Sequence, residues 1–409
     1  MAGSLKGNML IAQSGGPSMV INQSLVGAVI EAKKHKHIKN IYGALHGIKG
    51  VLEEKMIDLR KESKTTLEAV AQTASSALGS VRKKPTNEEC VKIFTILRKY
   101  DIRYFFYIGG NDSAETASII HEEAGKENYD LHCFHIPKTI DNDLLENDHT
   151  PGFASAAKFV VCAVMGDDLD NRALKGVKID VIMGRHAGFL TAASALAKIY
   201  PDGGPHLVYV PERPFSMEKF CQDVKDVYDR LGRCIVTVSE GIGDENGVAI
   251  ASKFSKETDS HGNVQLSGTG ALGDLLANEI RTKLQISRVR SDTFGYLQRS
   301  FPGLVSKVDA QEARAVGAEA VKLAAHGERQ GSIVIRRKPG KKYQVYLERV
   351  PLQNVAKNTR PMPDKFINNA GNDVTRDFLE YARPLVGELP KIGRFKGVPV
   401  KTKSEKRIS

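Results

Sequence analysis

The sequence predicts an α/β protein built from two doubly wound, mostly parallel lobes with the active site in the cleft between them. Three observations carry this. Apolar runs of strand length alternate with amphipathic helical runs along most of the chain, the pattern of βαβ units. Nearly every strand ends in a Gly-rich or polar corner, where an open parallel sheet places its ligands. The 409 residues, at about 100–200 per domain, leave room for two or three such units.

In chain order, Met9–Ala12 is a short apolar run that meets Gln13-Ser14-Gly15-Gly16-Pro17. Ile21, Leu25, Val26, Val29 and Ile30 then recur at helical spacing. Tyr104–Ile108 runs into Gly109-Gly110-Asn111-Asp112-Ser113 and a helix reaching about Gly125. Leu131–Ile136 ends at Pro137-Lys138-Thr139-Ile140-Asp141-Asn142-Asp143. Beyond Pro151, Val177–Met183 is a strand that meets Gly184-Arg185-His186, with a helix expected over Ala187–Tyr200; His186 could reach a ligand, but packing or capping the helix start is the preferred reading. His206–Val210 leads through Pro211-Glu212-Arg213-Pro214 to another helix, and Cys234–Ser239 ends at Glu240-Gly241. The stretch 243–268 is the most loop-like. Asp309 with Glu312 three residues on reads as a capping-box helix start. Ile333–Arg337 and Tyr343–Leu347 flank Pro339-Gly340 as a hairpin.

Composition narrows the class. With 41% hydrophobic and 26% charged residues, the chain is neither disordered nor fibrous. No apolar run approaches the ~18 residues of a membrane span, and MAGSLKGNML lacks a signal peptide's h-region, so a cytoplasmic protein is expected. Five scattered cysteines without metal spacing read as free, buried thiols. The net charge of +11 is concentrated at the C-terminus: seven of the last nineteen residues are Lys or Arg and one is acidic. That tail, 391–409, is expected to be mobile, and the body is only mildly basic. No basic stripe interleaved with aromatics is present, which argues against nucleic acid and for small anionic substrates.

The corners suggest which anions. Gly15-Gly16 ahead of a helix offers bare backbone N–H groups and a positive helix end to a phosphate. Gly109-Gly110 repeats the device and adds Asn111 and Asp112, oxygen donors of the kind Mg²⁺ takes. The run 137–143 sets Asp141, Asn142, Asp143 and Lys138 at one strand's end, and a carboxylate beside a bound phosphate can accept a hydroxyl proton. Arg185 suits an anion clamp, and Glu240 suits a sugar hydroxyl.

Gly15-Gly16, Gly79-Ser80-Val81-Arg82, GGNDS at 109–113, PKTIDND at 137–143, MGR at 183–185, EG at 240–241 and Tyr296-Leu297-Gln298-Arg299 follow one another in the order found in 6-phosphofructokinases. The chain resembles that family from about Met9 to Ala356. The resemblance implies phosphoryl transfer to the 1-hydroxyl of fructose 6-phosphate, with Mg²⁺ as cofactor. Carried over residue by residue, it makes Asp141 the general base, with Lys138 and Asp112 beside it in the catalytic set. Gly15, Gly16, Arg82, Asp112 and Lys138 would hold the donor. Thr139, Ile140, Asp141, Met183, Gly184, Arg185, Glu240, Arg290, Tyr296 and Arg299 would hold the sugar phosphate, with Arg290 often coming from a neighbouring subunit of a homodimer or homotetramer. Asn111 stands where ATP-using members have a metal-binding Asp. Gly176 replaces their arginine, and Tyr296 their histidine. The implied lobes are 1–152 with about 298–350 for the donor, and 153–297 with about 351–390 for fructose 6-phosphate.

Two positions bear on the donor. Asp112 and Lys138 stand where the ATP-dependent branch usually has glycines, and the pair resembles the pyrophosphate-dependent branch. A carboxylate in the space of an α-phosphate puts two unit charges ~4 Å apart, which costs ~4 kcal/mol at an effective dielectric near 20. Lys138 adds a cation for pyrophosphate, whose charge is denser than that of a nucleotide tail. The alternative is an ATP-dependent 6-phosphofructokinase.

Overall fold

The structure, a computed structural model, describes residues 5–83, 85–253, 270–340 and 342–397. Among them, eleven strands form two sheets: β1 (Gly7–Gln13), β2 (Ile38–Ala44), β3 (Met56–Asp58), β4 (Ile102–Gly109), β5 (His132–Pro137), β6 (Val177–Ile182), β7 (Leu207–Tyr209), β8 (Cys234–Ser239), β9 (Val289–Thr293), β10 (Gln330–Arg337) and β11 (Val345–Val350).

The larger sheet runs β11-β10-β5-β4-β1-β2-β3. Its five inner strands are parallel, and antiparallel β3 and β11 close the two edges. Every residue of β1 and β5 is buried, as helices on both faces of a parallel sheet require. Met9 and Ile11 pack on one side, Leu10 and Ala12 on the other. On the first face the helices Ile21–Ala32 and Lys307–Ala325 pack together. They approach so closely at Gly317 that a Cβ there would lie 2.0 Å from the carbonyl oxygen of Ser24, so any side chain would force the helices apart.

The smaller sheet, β7-β8-β6-β9, is parallel throughout. In each sheet the chain winds away in both directions from a central strand, β1 in one and β6 in the other. The crevice beyond such a reversal is where a doubly wound sheet binds ligands. The helix Phe153–Ala173, Phe189 and Ile140 share one apolar cluster with Met362 and Phe366, which joins the two sheets through a common core.

The two-lobed α/β class and the strand-ending corners match the sequence reading. Three details differ. The helix expected over 187–200 runs only from Phe189 to Ala193, then tightens to 3₁₀ over Ser194–Ala197. The Ser194 hydroxyl turns back to the Thr191 carbonyl at 2.5 Å, a bond that competes with helix propagation. The start of helix Lys307–Ala325 is capped by Ser306, whose hydroxyl accepts from Asp309 N. Asp309 itself caps a different helix, accepting from Gly152 N at 2.8 Å and Ser155 N at 2.9 Å, and Glu312 pairs with His149 at 2.6 Å. The loop expected over 243–268 and the tail expected over 391–409 fall partly outside the described residues. All five cysteines are free, and four are buried. Among the described residues no helix is long and apolar enough to cross a membrane.

Candidate active site

The strand ends of both sheets meet at a cavity of about 460 Å³, with a deeper recess of about 210 Å³ beneath it against the larger sheet. The recess begins at the switch between β1 and β4. Gly15 has φ of 72°, a left-handed turn that favours glycine, and a Cβ there would stand 3.1 Å from Lys138 Nζ. The loop bearing Arg82 is pinned over this turn: Gly15 N donates to the Val81 carbonyl at 3.0 Å, and Ser80 Oγ to the Gly15 carbonyl at 2.6 Å. Arg299 Nη1 and Arg82 Nη2 lie 3.1 and 3.7 Å from where a Gly16 Cβ would be. Three cations therefore converge on two glycines that present backbone rather than side chain. Cations set beside bare backbone in this way can neutralise phosphate charge, on one ligand or on two that meet here.

Lys138 is 4% exposed, and its backbone is held by the Gly109 carbonyl at 2.9 Å. Burial, then the Arg82 and Arg299 cations, push its ammonium down to about 8. Burial and Arg82 also lower Arg299.

Across the cavity, the turn after β5 presents Thr139, Ile140, Asp141 and Asp143. Thr139 Oγ1 accepts from Asp141 N and donates to Asp143 Oδ1, both at 3.2 Å. Burial, then the Asp143 and Glu240 carboxylates, push Asp141 up to about 7, against the pull of Lys138 and Arg82. A carboxylate so raised takes up a proton more readily than an ordinary one.

The smaller sheet supplies the remaining wall. Met183 and Arg185 follow β6, Glu240 follows β8, and all three line the cavity. Buried Gln298 accepts from Met183 N at 3.2 Å, which ties the short helix Leu297–Ser300 to the end of β6 and fixes Arg299 beside it. The Arg299 guanidinium stacks 4.4 Å from the centre of the Tyr296 ring.

Of the residues named from sequence, Gly16, Arg82, Asn111, Asp112, Lys138, Thr139, Ile140, Asp141, Met183, Arg185, Glu240 and Arg299 line the main cavity, and Gly15 lines the recess. Three do not line either space. Gly184 serves by its backbone, its carbonyl accepting from Ser239 Oγ. Tyr296 stands behind Arg299. Arg290 is exposed on β9 and lies outside both spaces. Sequence reasoning missed Lys357 and Thr359, which reach the cavity from beyond β11 and carry no local signal. His186, which the sequence leaves either to reach substrate or to pack or cap the next helix, lines the cavity, and that helix has Gly188 as its N-cap.

The donors fit a magnesium site that relies on substrate oxygens. Asn111, Asp112, Asp141 and Asp143 share the cavity wall, but among the described residues the three acidic groups close enough to grip one ion are Asp167, Asp180 and Asp292. Those lie elsewhere and surround the Lys178 ammonium. One or two carboxylates with phosphate oxygens and waters is the way Mg²⁺ is held in phosphoryl transfer. The Asn111 amide N–H donates to the Lys357 carbonyl at 3.2 Å, so its oxygen is the atom it can offer a metal.

Two doubly wound sheets whose strand ends bring Lys138, Arg82 and Arg299 together with Asp141, Asp143 and Glu240 in one cleft have the architecture of a phosphotransferase. Residues 8–324 match the family model described as phosphofructokinase, and the chain belongs to the phosphofructokinase family. It is 57% identical over 384 residues to the pyrophosphate–fructose 6-phosphate 1-phosphotransferase of Rhodospirillum rubrum, covering 93% of this chain and 95% of that one. A protein of the same name from Xanthomonas campestris pv. campestris is 39% identical, covering 96% and 95%. The crystal structure of the pyrophosphate-dependent phosphofructokinase from Marinobacter aquaeolei superposes with a TM-score of 0.84 at 32% identity, covering 96% of this chain and 95% of that one.

Proposed function

We propose that the protein transfers a phosphoryl group from pyrophosphate to the 1-hydroxyl of fructose 6-phosphate, giving fructose 1,6-bisphosphate and phosphate, reversibly and in the cytoplasm as a step of glycolysis. The observation that carries this reading is the pair Asp112 and Lys138 on the wall of one cavity, a carboxylate set against a longer donor and a buried cation suited to a short one. The similarity to relatives named for this activity supports it.

In this reading Asp141 accepts the proton of the attacking hydroxyl. A bond forms between that oxygen and the transferred phosphorus as the anhydride P–O bond of pyrophosphate breaks, and phosphate leaves with the electron pair. Lys138 and Arg82, with the backbone of Gly15 and Gly16, take the charge of the donor. Arg299, with Tyr296 stacked behind it, takes the 6-phosphate, while Arg185, Met183, Thr139, Ile140 and Glu240 orient the sugar. Mg²⁺ held by Asn111 and neighbouring carboxylates would neutralise the phosphoryl oxygens. Residues 1–152 with about 298–350 form the donor lobe, and 153–297 with about 351–390 the sugar-phosphate lobe. The exposure of Arg290 outside its own chain's cavity supports a homodimer or homotetramer in which it serves a neighbour. Neither nucleic acid nor membrane has a part.

The test is an assay of purified protein with fructose 6-phosphate, Mg²⁺ and a single donor. Pyrophosphate is expected to turn over with kcat/KM at least a hundredfold above ATP, roughly 2.7 kcal/mol of discrimination. Comparable rates would overturn the donor assignment, and turnover with ATP alone would make the protein an ATP-dependent 6-phosphofructokinase.

A further inference from the structure

Between Asp141 and Asp143, Asn142 is fully buried and its backbone is left-handed, with φ of 60°. That conformation is costly for a residue with a side chain, though asparagine tolerates it best. It is what lets both aspartates face the cavity while the residue between them turns inward. The polar atoms of this turn are held by the far end of the chain. Arg360 Nε donates to the Asn142 carbonyl at 3.1 Å, and its Nη2 reaches Asn142 Oδ1 at 3.3 Å and the Asp148 carbonyl at 2.6 Å. Arg360 N donates to the Asp143 carbonyl at 2.8 Å. Asn142 Nδ2 donates to the Tyr381 hydroxyl at 2.8 Å, and that hydroxyl donates to the Asp148 carbonyl at 2.8 Å.

Neither Arg360 nor Tyr381 lines the active-site cavity or its recess. Both face a separate groove of about 550 Å³ behind the turn. The Arg360 guanidinium lies 5.2 Å from the Phe189 ring centre, and Tyr381 packs against Phe189, Phe366 and Phe378. Two side chains locked by packing, each bonded both to this left-handed turn and to the Asp148 carbonyl, form a splint for the turn. We infer that Arg360 and Tyr381 are positioning residues that hold Asp141 in its reactive placement. This rests on the reading of Asp141 as the base.

Tyr381→Phe keeps the ring packing and deletes the hydroxyl. It should lower kcat by roughly tenfold while both substrate KM values stay within about twofold, because small displacements of a reacting group tax the transition state and not ground-state binding. Arg360→Lys keeps the charge but loses the fork that grips two carbonyls at once, and should act the same way. Because the two grip one turn, the double variant should lose less than the product of the single losses. Tyr200→Phe is the control: its hydroxyl donates to the Ile392 carbonyl at 2.9 Å, remote from the turn, so kcat should be unchanged even if stability falls. Wild-type kcat in both Tyr381→Phe and Arg360→Lys would overturn the inference. So would KM values rising in step with the loss, or an equal loss in Tyr200→Phe. Asp141→Asn, run beside them, separates the two ideas. If it keeps kcat, the reading of the base fails. If it loses kcat while the positioning variants do not, only the positioning role fails.

Discussion

Asp112→Gly should relax the choice of phosphoryl donor. Asp112 is the second residue of the helix Asn111–Lys126, and its side chain borders both the cavity and the recess. An α-phosphate brought to ~4 Å from that carboxylate would meet ~4 kcal/mol of repulsion at an effective dielectric near 20. Asp112 is exposed to the cleft, so water and relaxation screen much of this, and a gain of at least tenfold in the ATP-to-pyrophosphate ratio of kcat/KM, about 1.4 kcal/mol, is expected. The substitution also has a structural cost. A first-turn carboxylate favours the helix dipole by about 0.3–1 kcal/mol, and glycine in a helix costs about 1 kcal/mol, so the variant should unfold at lower urea. Asp112→Ala removes the charge without the glycine penalty and should shift the donor ratio to a similar degree. The assay is kcat/KM for each donor, in wild type and both variants, at one Mg²⁺ concentration. An unchanged ratio in both would refute the electrostatic reasoning and move the exclusion of ATP to whatever blocks its nucleoside.

Asp141→Asn should lower kcat by roughly 10²–10⁴-fold with little change in either KM; a variant that lost affinity but kept kcat would make Asp141 a binding residue. Arg299→Ala should raise the KM for fructose 6-phosphate and leave that for the donor nearly constant, and a selective rise in the pyrophosphate KM would mean that the two phosphate sites are exchanged. His135 is fully buried between Ser332 Oγ and the Gly109 carbonyl, each at 2.8 Å, and burial first, then Lys138, lowers it from 6.5 to about 4. It is therefore neutral in the folded chain but binds a proton on unfolding. Its contribution is complete above pH 6.5 and is lost as pH falls toward 4, by up to roughly 3 kcal/mol. Urea titrations at pH 7 and 4.5 should show a smaller loss in His135→Asn than in wild type, and equal losses would refute the assignment.

Much of the cavity wall that the larger sheet supplies was legible because its signals are local. Gly15, Asp112, Lys138 and Asp141 each sit within a few residues of a strand's end, and a continuous apolar run closed by a Gly-rich or polar corner marks such an end. The cleft's other contributors are not local. Lys357 and Thr359 arrive across more than two hundred residues of chain from the turn they face, in a stretch without periodicity. Asp309 looked like the start of its own helix because acid-rich first turns are common, and only packing shows that it caps Phe153–Ala173. Arg290, named as a residue that often serves a neighbouring subunit, is exposed on β9 and outside its own chain's cavity, a placement that no local pattern signals. Asn142 appeared as one more polar residue in a polar run, whereas the structure gives it a buried, left-handed place.

The order of strands in the larger sheet bears on how the protein is made. β5 ends at Pro137, but its neighbour β10 does not begin until Gln330. At ~5–20 residues per second, a ribosome needs roughly ten to forty seconds to cover that gap. Meanwhile β1, β2, β4 and β5 can already pair, leaving the far edge of β5 with unsatisfied N–H and carbonyl groups, an invitation to mispairing with another nascent chain. The intervening residues are those of the smaller sheet, which can fold during the wait. A chain stalled before Gln330 would thus carry both glycine corners, Gly15-Gly16 and Gly109-Gly110, on an open sheet, with the turn at Asn142 still lacking Arg360.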